Sequence, residues 1–495
     1  MNKYIFKLGL ICLAMILFQG CFDLDHEEYE NISSENFPTT QEDLEAALVG
    51  CYKNLGETYI MDALDNAGLT LNELCTDEMN TAWGHVWEIT HRLAWAPNNN
   101  PALTVYERYN KAITKATRII DAFSKADIDE KDRTKFVAEL RVLRAFYANA
   151  IYSLFGPLPV VTDPDVANDI YSEYEPVRPS REEYVAYMIT ELESVYNDLE
   201  NRSSSENWGR MDKGTALTLL MKIYLDAKMF DKANETADKI IALGIYELLP
   251  GYESVFDIEN EGPGNKEVIF PIGKVVSNTS YAWTYFACVM PSTPKYKTKT
   301  GVEMTVWGGL KMPWEYYDKY EEGDERLNTI IRYYEDVDGN QVDFREVQDT
   351  KAVGAIPMKY SEDPNHRGQF QGNDFVVFRY ADVLLSKAEA LNEIHGPTAE
   401  SVALINQIRR RVKASEIKLA DYNTKEMLRD FILEERGREL YNEGHRRNDL
   451  IRHGKFVERA IARGIDAKAH HVLYPIPQSA INENPNLKQN PGYEN

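Results

Sequence analysis

The chain has 495 residues, 79 acidic against 55 basic side chains, and a formal net charge of −24. That length is ample for a buried core, and 27% charged beside 43% hydrophobic residues describes a globular chain rather than a disordered one. The carboxylate excess argues against nucleic acid, whose phosphates are met by Lys and Arg, and against electrostatic attachment to an anionic membrane.

Met1 to Lys7 is a short basic start, Leu8 to Phe18 is apolar, and Gln19-Gly20-Cys21 follows. This is the pattern of a secretory signal, and the apolar run falls short of the roughly 20 residues of a spanning helix. The cysteine after Gly20 predicts lipoprotein processing, with residues 1–20 removed and Cys21 lipidated. Loss of Lys3 and Lys7 takes the charge from −24 to −26. Residues 21–40 then form an acidic tether. Cys51, Cys75 and Cys288 remain. Their spacing makes neither a disulfide framework nor a CxxC metal site, although one pair could bridge.

Periodicity predicts helices through most of 41–244. Thr39-Thr40-Gln41-Glu42 reads as a capping box before a helix through Leu44, Leu48, Cys51 and Leu55. Residues 60–100 have poor periodicity and three Trp. Val105 to Phe123 and Phe136 to Leu154 recur at steps of three and four, the second run stopping at Gly156-Pro157. Ser180-Arg181-Glu182-Glu183 caps a helix through Tyr184, Met188, Leu192, Val195 and Leu199, and Ser203-Ser204-Ser205 marks a loop. Helix pairs at 216–243 and 378–412 carry large and small residues near tetratricopeptide spacing. Residues 245–375 are loop-rich, with a β-like run at 268–272 and a hairpin at 333–344. Residues 376–495 return to helix and end in Pro- and Asn-rich irregular structure. The fold class is therefore mainly α: tetratricopeptide-like repeats around a long loop-rich insertion containing short β hairpins.

Motifs for chemistry are sparse. No GxSxG elbow, phosphate-binding GxxxxGK[ST] loop or HExxH zinc helix occurs, so no cofactor or resident metal is expected. His470-His471 lacks a metal-site spacing, and Asp336-Val337-Asp338-Gly339-Asn340 reads as a hairpin turn rather than a calcium loop. The charged run 434–449 reads as a structural ion-pair network with an i,i+4 pair Glu434/Arg438. The distinctive feature is aromatic content away from helix faces: Trp83, Trp87 and Trp95, then Tyr281, Trp283, Tyr285, Tyr296, Trp307 and Trp314. Flat rings stack on the apolar face of a sugar, so Trp83, Trp87, Tyr281, Trp283, Tyr296 and Trp307 are the candidate ligand platform.

Several segments resemble the SusD/RagB family of nutrient-binding lipoproteins: Arg141-Val142-Leu143-Arg144-Ala145-Phe146-Tyr147 running to Gly156-Pro157-Leu158-Pro159, Phe378-Arg379-Tyr380-Ala381-Asp382, Glu434-Glu435-Arg436 with Glu443-Gly444-His445-Arg446-Arg447, Tyr474-Pro475-Ile476-Pro477, and Asn484-Pro485 to Gly492-Tyr493. The resemblance implies a tetratricopeptide-like helical fold, lipid-anchored on the outer face of a Gram-negative outer membrane. It implies a partner, a SusC-like TonB-dependent transporter barrel, and an oligosaccharide ligand, or in some relatives a peptide. It implies no catalytic activity. The shared motifs shape the scaffold, so no binding residue is carried over through them. A lipoprotein hydrolase and a purely structural scaffold are the competing expectations.

Overall fold

A computed structural model describes residues 40–58, 68–169, 171, 174–202, 208–277, 282–347 and 353–493. The signal, Cys21, nearly all of the tether, Ser203-Ser204-Ser205 and Tyr281 lie outside the described residues.

Thr40 opens the first helix, Gln41–Thr58: its hydroxyl accepts from the Asp43 amide at 3.2 Å, and the Asp43 carboxylate accepts from the Thr40 amide at 3.2 Å. A capping box closes at the third helical residue, so Asp43 takes the place expected of Glu42. This helix lies on a long antiparallel pair, Leu103–Lys125 and Glu130–Phe155. Tyr109 meets Tyr147 and Phe123 meets Phe136 there, with ring centroids 4.9 and 5.3 Å apart, all four buried. Asp129 caps the second helix of the pair, and Gly156 ends it at a φ of 76°. Ser180 and Glu183 make the expected capping box in both directions. That helix stops at Glu193, and Val195 and Leu199 reach the core from the turns that follow.

The tetratricopeptide-like row is continuous in space though not in sequence. Lys213–Asp226 pairs with Phe230–Ala242, which packs on Tyr380–His395, and that helix packs on both Ala399–Arg411 and Lys425–Leu440. Ala233, Ala237 and Ala388 are at most 1% exposed, which permits this close nesting. The intervening segment leaves and rejoins the row through a two-stranded clasp. Its strands are β2 (Val268–Ile272) and β6 (Phe375–Arg379), paired antiparallel with Val268 opposite Arg379 and Ile272 opposite Phe375. Phe378, expected to open a helix, lies in β6. Its aromatic and β-branched neighbours favour a strand, and the helix begins at Tyr380.

Two further short strand pairings organise the insertion. β1 (Asn80–Thr81) pairs with β3 (Leu310–Lys311), and β4 (Tyr333–Glu335) pairs with β5 (Gln341–Asp343) in the expected hairpin. Between β4 and β5 the Asp336 carboxylate accepts from the Asp338 and Asn340 amides at 3.0 and 2.8 Å and from Asn340 Nδ2 at 3.0 Å, so its oxygens are used inside the turn.

The charged run near the end of the chain is a buried network. Arg379 Nε and Nη2 donate to the two oxygens of Glu443 at 2.7 and 2.8 Å, and its Nη1 donates to Glu267 and Glu439 at 2.9 and 2.7 Å. Arg326 joins Asp324, Glu435 and Glu439. The i,i+4 pair is absent: Arg438 bonds Glu435 at 2.7 Å, and Glu434 is taken by Lys319 and Arg459. The cause is the inward face of Glu435, which is fully buried and leaves Glu434 nearer the surface. Cys51, Cys75 and Cys288 are all buried and form no disulfide among the described residues, and burial raises the Cys75 thiol to about 11. Among the described residues no helix is long and apolar enough to cross a membrane.

Candidate functional site

The pairing of β1 with β3 joins two distant aromatic segments. Asn80 lies opposite Lys311 and Thr81 opposite Leu310, and the Ala82 amide extends the ladder to the Gly309 carbonyl at 2.8 Å. Trp83 follows at once, and its indole covers Gly309. A Cβ on that glycine would lie 1.8 Å from the ring, so only glycine admits this approach. On the other side, the Trp307 and Gly308 amides both donate to the Ala287 carbonyl, at 2.7 and 3.2 Å. This anchors the Trp307 turn to the short helix Tyr285–Val289. Gly308 turns the chain at a φ of 65°.

The result is a three-tryptophan cluster. Trp83 meets Trp87 edge to face with centroids 4.8 Å apart and meets Trp307 at 6.4 Å and 66°. Trp83 and Trp307 are half-buried, with Gly84, His85, Glu88 and Thr305 exposed beside them in sequence. Trp87, on the helix Val86–His91, is 8% exposed and serves as the wall against which Trp83 stands.

The other predicted platform residues separate. Trp283 is 1% exposed, stacked on Tyr285 at 5.1 Å and edge-on to Tyr360 and Phe375. Tyr296 is buried beside Tyr334 and donates its hydroxyl to Glu362 at 2.8 Å. Neither presents a face to solvent, so both leave the platform and belong to the core of the insertion. Loop placement in the sequence hid this, because an irregular segment this long needs its own apolar core. Tyr281 lies outside the described residues. Trp95 is buried, its ring tilted 33° against Tyr474 at 4.1 Å, and donates to the Tyr493 hydroxyl at 2.6 Å, tying down the C-terminal segment. Trp314 is half-buried under the Arg345 guanidinium at 4.9 Å.

Sequence reasoning missed the residues that set the tryptophans. These are Gly308, Gly309 and Lys311, and the available signal was the Gly-Gly pair directly after Trp307. Lys311 is fully buried. Its ammonium donates to the carbonyls of Val289 and Gly308, both at 2.8 Å, and to its neighbour Leu310 at 3.1 Å. A cleft of about 370 Å³ opens elsewhere in the insertion, lined by Glu253, Asp257, Lys299, Asn328, Ser361 and Glu362 among others. Tyr360 in its wall is 2% exposed, so the cleft offers polar groups but no ring face. Among the described residues no cluster of three or more His, Cys, Asp or Glu side chains could hold a metal ion.

The chain thus combines a tetratricopeptide-like helical scaffold with an aromatic cluster joined from two distant segments, one of them in the insertion. Residues 266–493 match the SusD family. The chain is 26% identical over 490 residues to the starch-binding protein SusD of Bacteroides thetaiotaomicron, covering 86% of this chain and 84% of that one. It is 27% identical over 524 residues to SusD-like protein P2 of Formosa agariphila, covering the whole of both. Surface glycan-binding protein A from Bacteroides thetaiotaomicron, solved in complex with laminarihexaose, superposes with a TM-score of 0.75 at 21% identity, over 91% of this chain and all of that one. Over residues 266–493 the chain is similar to the SusD family, and the SusD-like relatives extend that similarity over most of its length.

Proposed function

We propose that this protein captures oligosaccharides at the cell surface on the Trp83, Trp87 and Trp307 cluster. The observation that carries the reading is the convergence of rings from two distant, poorly periodic segments into one half-exposed group. Core packing alone does not require Trp83 and Trp307 to keep ring surface exposed. A sugar offers such rings an apolar C–H face, and its hydroxyls are served by the polar atoms around them. The starch-binding relative and the laminarihexaose-bound neighbour support a glycan ligand.

In this reading the protein binds without turnover. It is held to the outer membrane through lipid on Cys21, faces the exterior, and passes its glycan to a SusC-like TonB-dependent barrel. The 41–244 and 376–495 helical regions form the scaffold, and the 245–375 insertion supplies one side of the site. Screening on a glycan array beside a peptide library, with reducing-sugar release assayed on any glycan that binds, tests it. Glycan binding with no product is expected. Peptide capture alone, or release of sugar ends, contradicts it. Palmitate incorporation that disappears in Cys21→Ala tests the anchor.

A further inference from the structure

Lys311 is an unusual residue to find beneath a surface loop. Its ammonium is completely enclosed, and among the described residues it makes no ion pair and donates only to backbone carbonyls. Two of these carbonyls, Gly308 and Leu310, flank the glycine that Trp83 covers. The third, Val289, ends the helix whose Ala287 carbonyl receives the Trp307 amide. One cation therefore ties both sides of the Trp307–Gly309 turn to that helix.

We propose that Lys311 is a positioning residue for the tryptophan site, its buried ammonium setting the Trp307–Gly309 turn and, through it, the approach of Trp83 to Trp307. The inference rests on the glycan-capture reading of that site. An ammonium has three N–H donors and the structure uses all three. A neutral amine has two, so loss of the proton strips one buried carbonyl of its donor and loosens the turn.

Burial also brings that change within reach of neutral pH, because it lowers Lys311 from 10.5 to about 7. Among the described residues Cys288, on the helix Tyr285–Val289, is the one titratable group that acts on it, and it acts in the opposite sense. The Phe344 ring lies 5.7 Å away and carries no charge. Asn80 on β1 and the Gly354 backbone, packed against the Lys311 stem, add none either. Site order and ligand affinity therefore fall as pH rises through about 7. Global stability moves the other way. A lysine whose folded pKa lies below its unfolded value costs most when charged, and this cost is relieved as pH rises from about 7 toward 10.5. The opposite signs separate a positioning role from a merely structural one.

The test is a fluorine NMR titration of the full protein carrying 5-fluorotryptophan, with the seven resonances assigned by single Trp→Phe variants. Laminarihexaose affinity is followed over the same range, from about pH 5.5 to 8.5. The Trp83 and Trp307 resonances are expected to titrate together with a midpoint near 7. The midpoint persists in His85→Gln, which removes the neighbouring exposed imidazole, and disappears in Lys311→Met. Resonances that do not move in this window overturn the proposal, as does a titration unchanged in Lys311→Met. If that variant does not fold, the wild-type and His85→Gln titrations still decide. The two readings fail separately. Laminarihexaose binding that survives removal of both Trp83 and Trp307 overturns the tryptophan site as the platform, whereas fluorine signals indifferent to pH overturn only the role of Lys311.

Discussion

Trp83 and Trp307 meet edge to face, 6.4 Å between ring centroids, because the strand leading into one pairs with the strand leaving the other. Gly309 sits at the centre of this contact, its missing side chain filled by the Trp83 indole. Gly309→Ala should therefore displace Trp83 rather than unfold the protein. Glycan affinity is expected to fall at least about tenfold, roughly 1.4 kcal/mol. Calorimetric titration beside a melting curve checks this, with the melting temperature nearly unchanged.

Trp283 predicts the reverse pattern. It is enclosed by Tyr285, Tyr360 and Phe375, so Trp283→Ala leaves a cavity in the insertion. The expected loss is about 3–5 kcal/mol of stability. Denaturant unfolding measures it, and any glycan bound by the fraction that remains folded should bind with near-native affinity.

Arg379 and Glu439 hold β6 against the helix Lys425–Leu440 in a site without water access. Removing one partner strands the other as a buried charge, at a cost of about 3–5 kcal/mol. Arg379→Met should thus destabilise strongly, and denaturant midpoints should show it. Replacing an exposed pair such as Lys232–Glu235 should change little.

The same network dictates behaviour in acid. Its arginines hold Glu439 and Asp449 down at about 2, against burial that works the other way. A carboxyl depressed in the fold contributes stability that is present above its unfolded pKa, about 4, and lost as pH falls toward 2. His445 adds to this loss. Burial lowers it to about 4, so its neutral fold-state is penalised progressively as pH falls from about 6.5 to 4. Unfolding free energy should decline steadily below about pH 6.5, and His445→Gln should flatten the upper part of that decline.

How much of this was legible in the sequence follows from which forces are local. Helices announced by a repeating apolar face, Val105 to Phe123 or Phe136 to Leu154, formed where the period put them, as did the Ser180 capping box. The β4–β5 hairpin was equally local, written in Asp338-Gly339-Asn340. Phe378 was misplaced because its strand partner, Phe270, is far away in sequence and supplies the pairing that overrides helix propensity. The aromatic platform divided for the same reason. Nothing near Trp283 in the sequence marks it as buried, and only the Gly308-Gly309 pair sets Trp307 apart. Tyr360 and Phe375 bury the one, and a glycine turn braced by Lys311 leaves the other half-exposed.

The central claim is that glycan is captured on the tryptophan cluster. Its most direct test is calorimetric titration of laminarihexaose and a malto-oligosaccharide into the wild type and into the Trp83→Ala, Trp307→Ala double variant, both shown folded by melting. Measurable binding by the wild type that vanishes in the double variant is predicted. Undiminished binding by the double variant would contradict it.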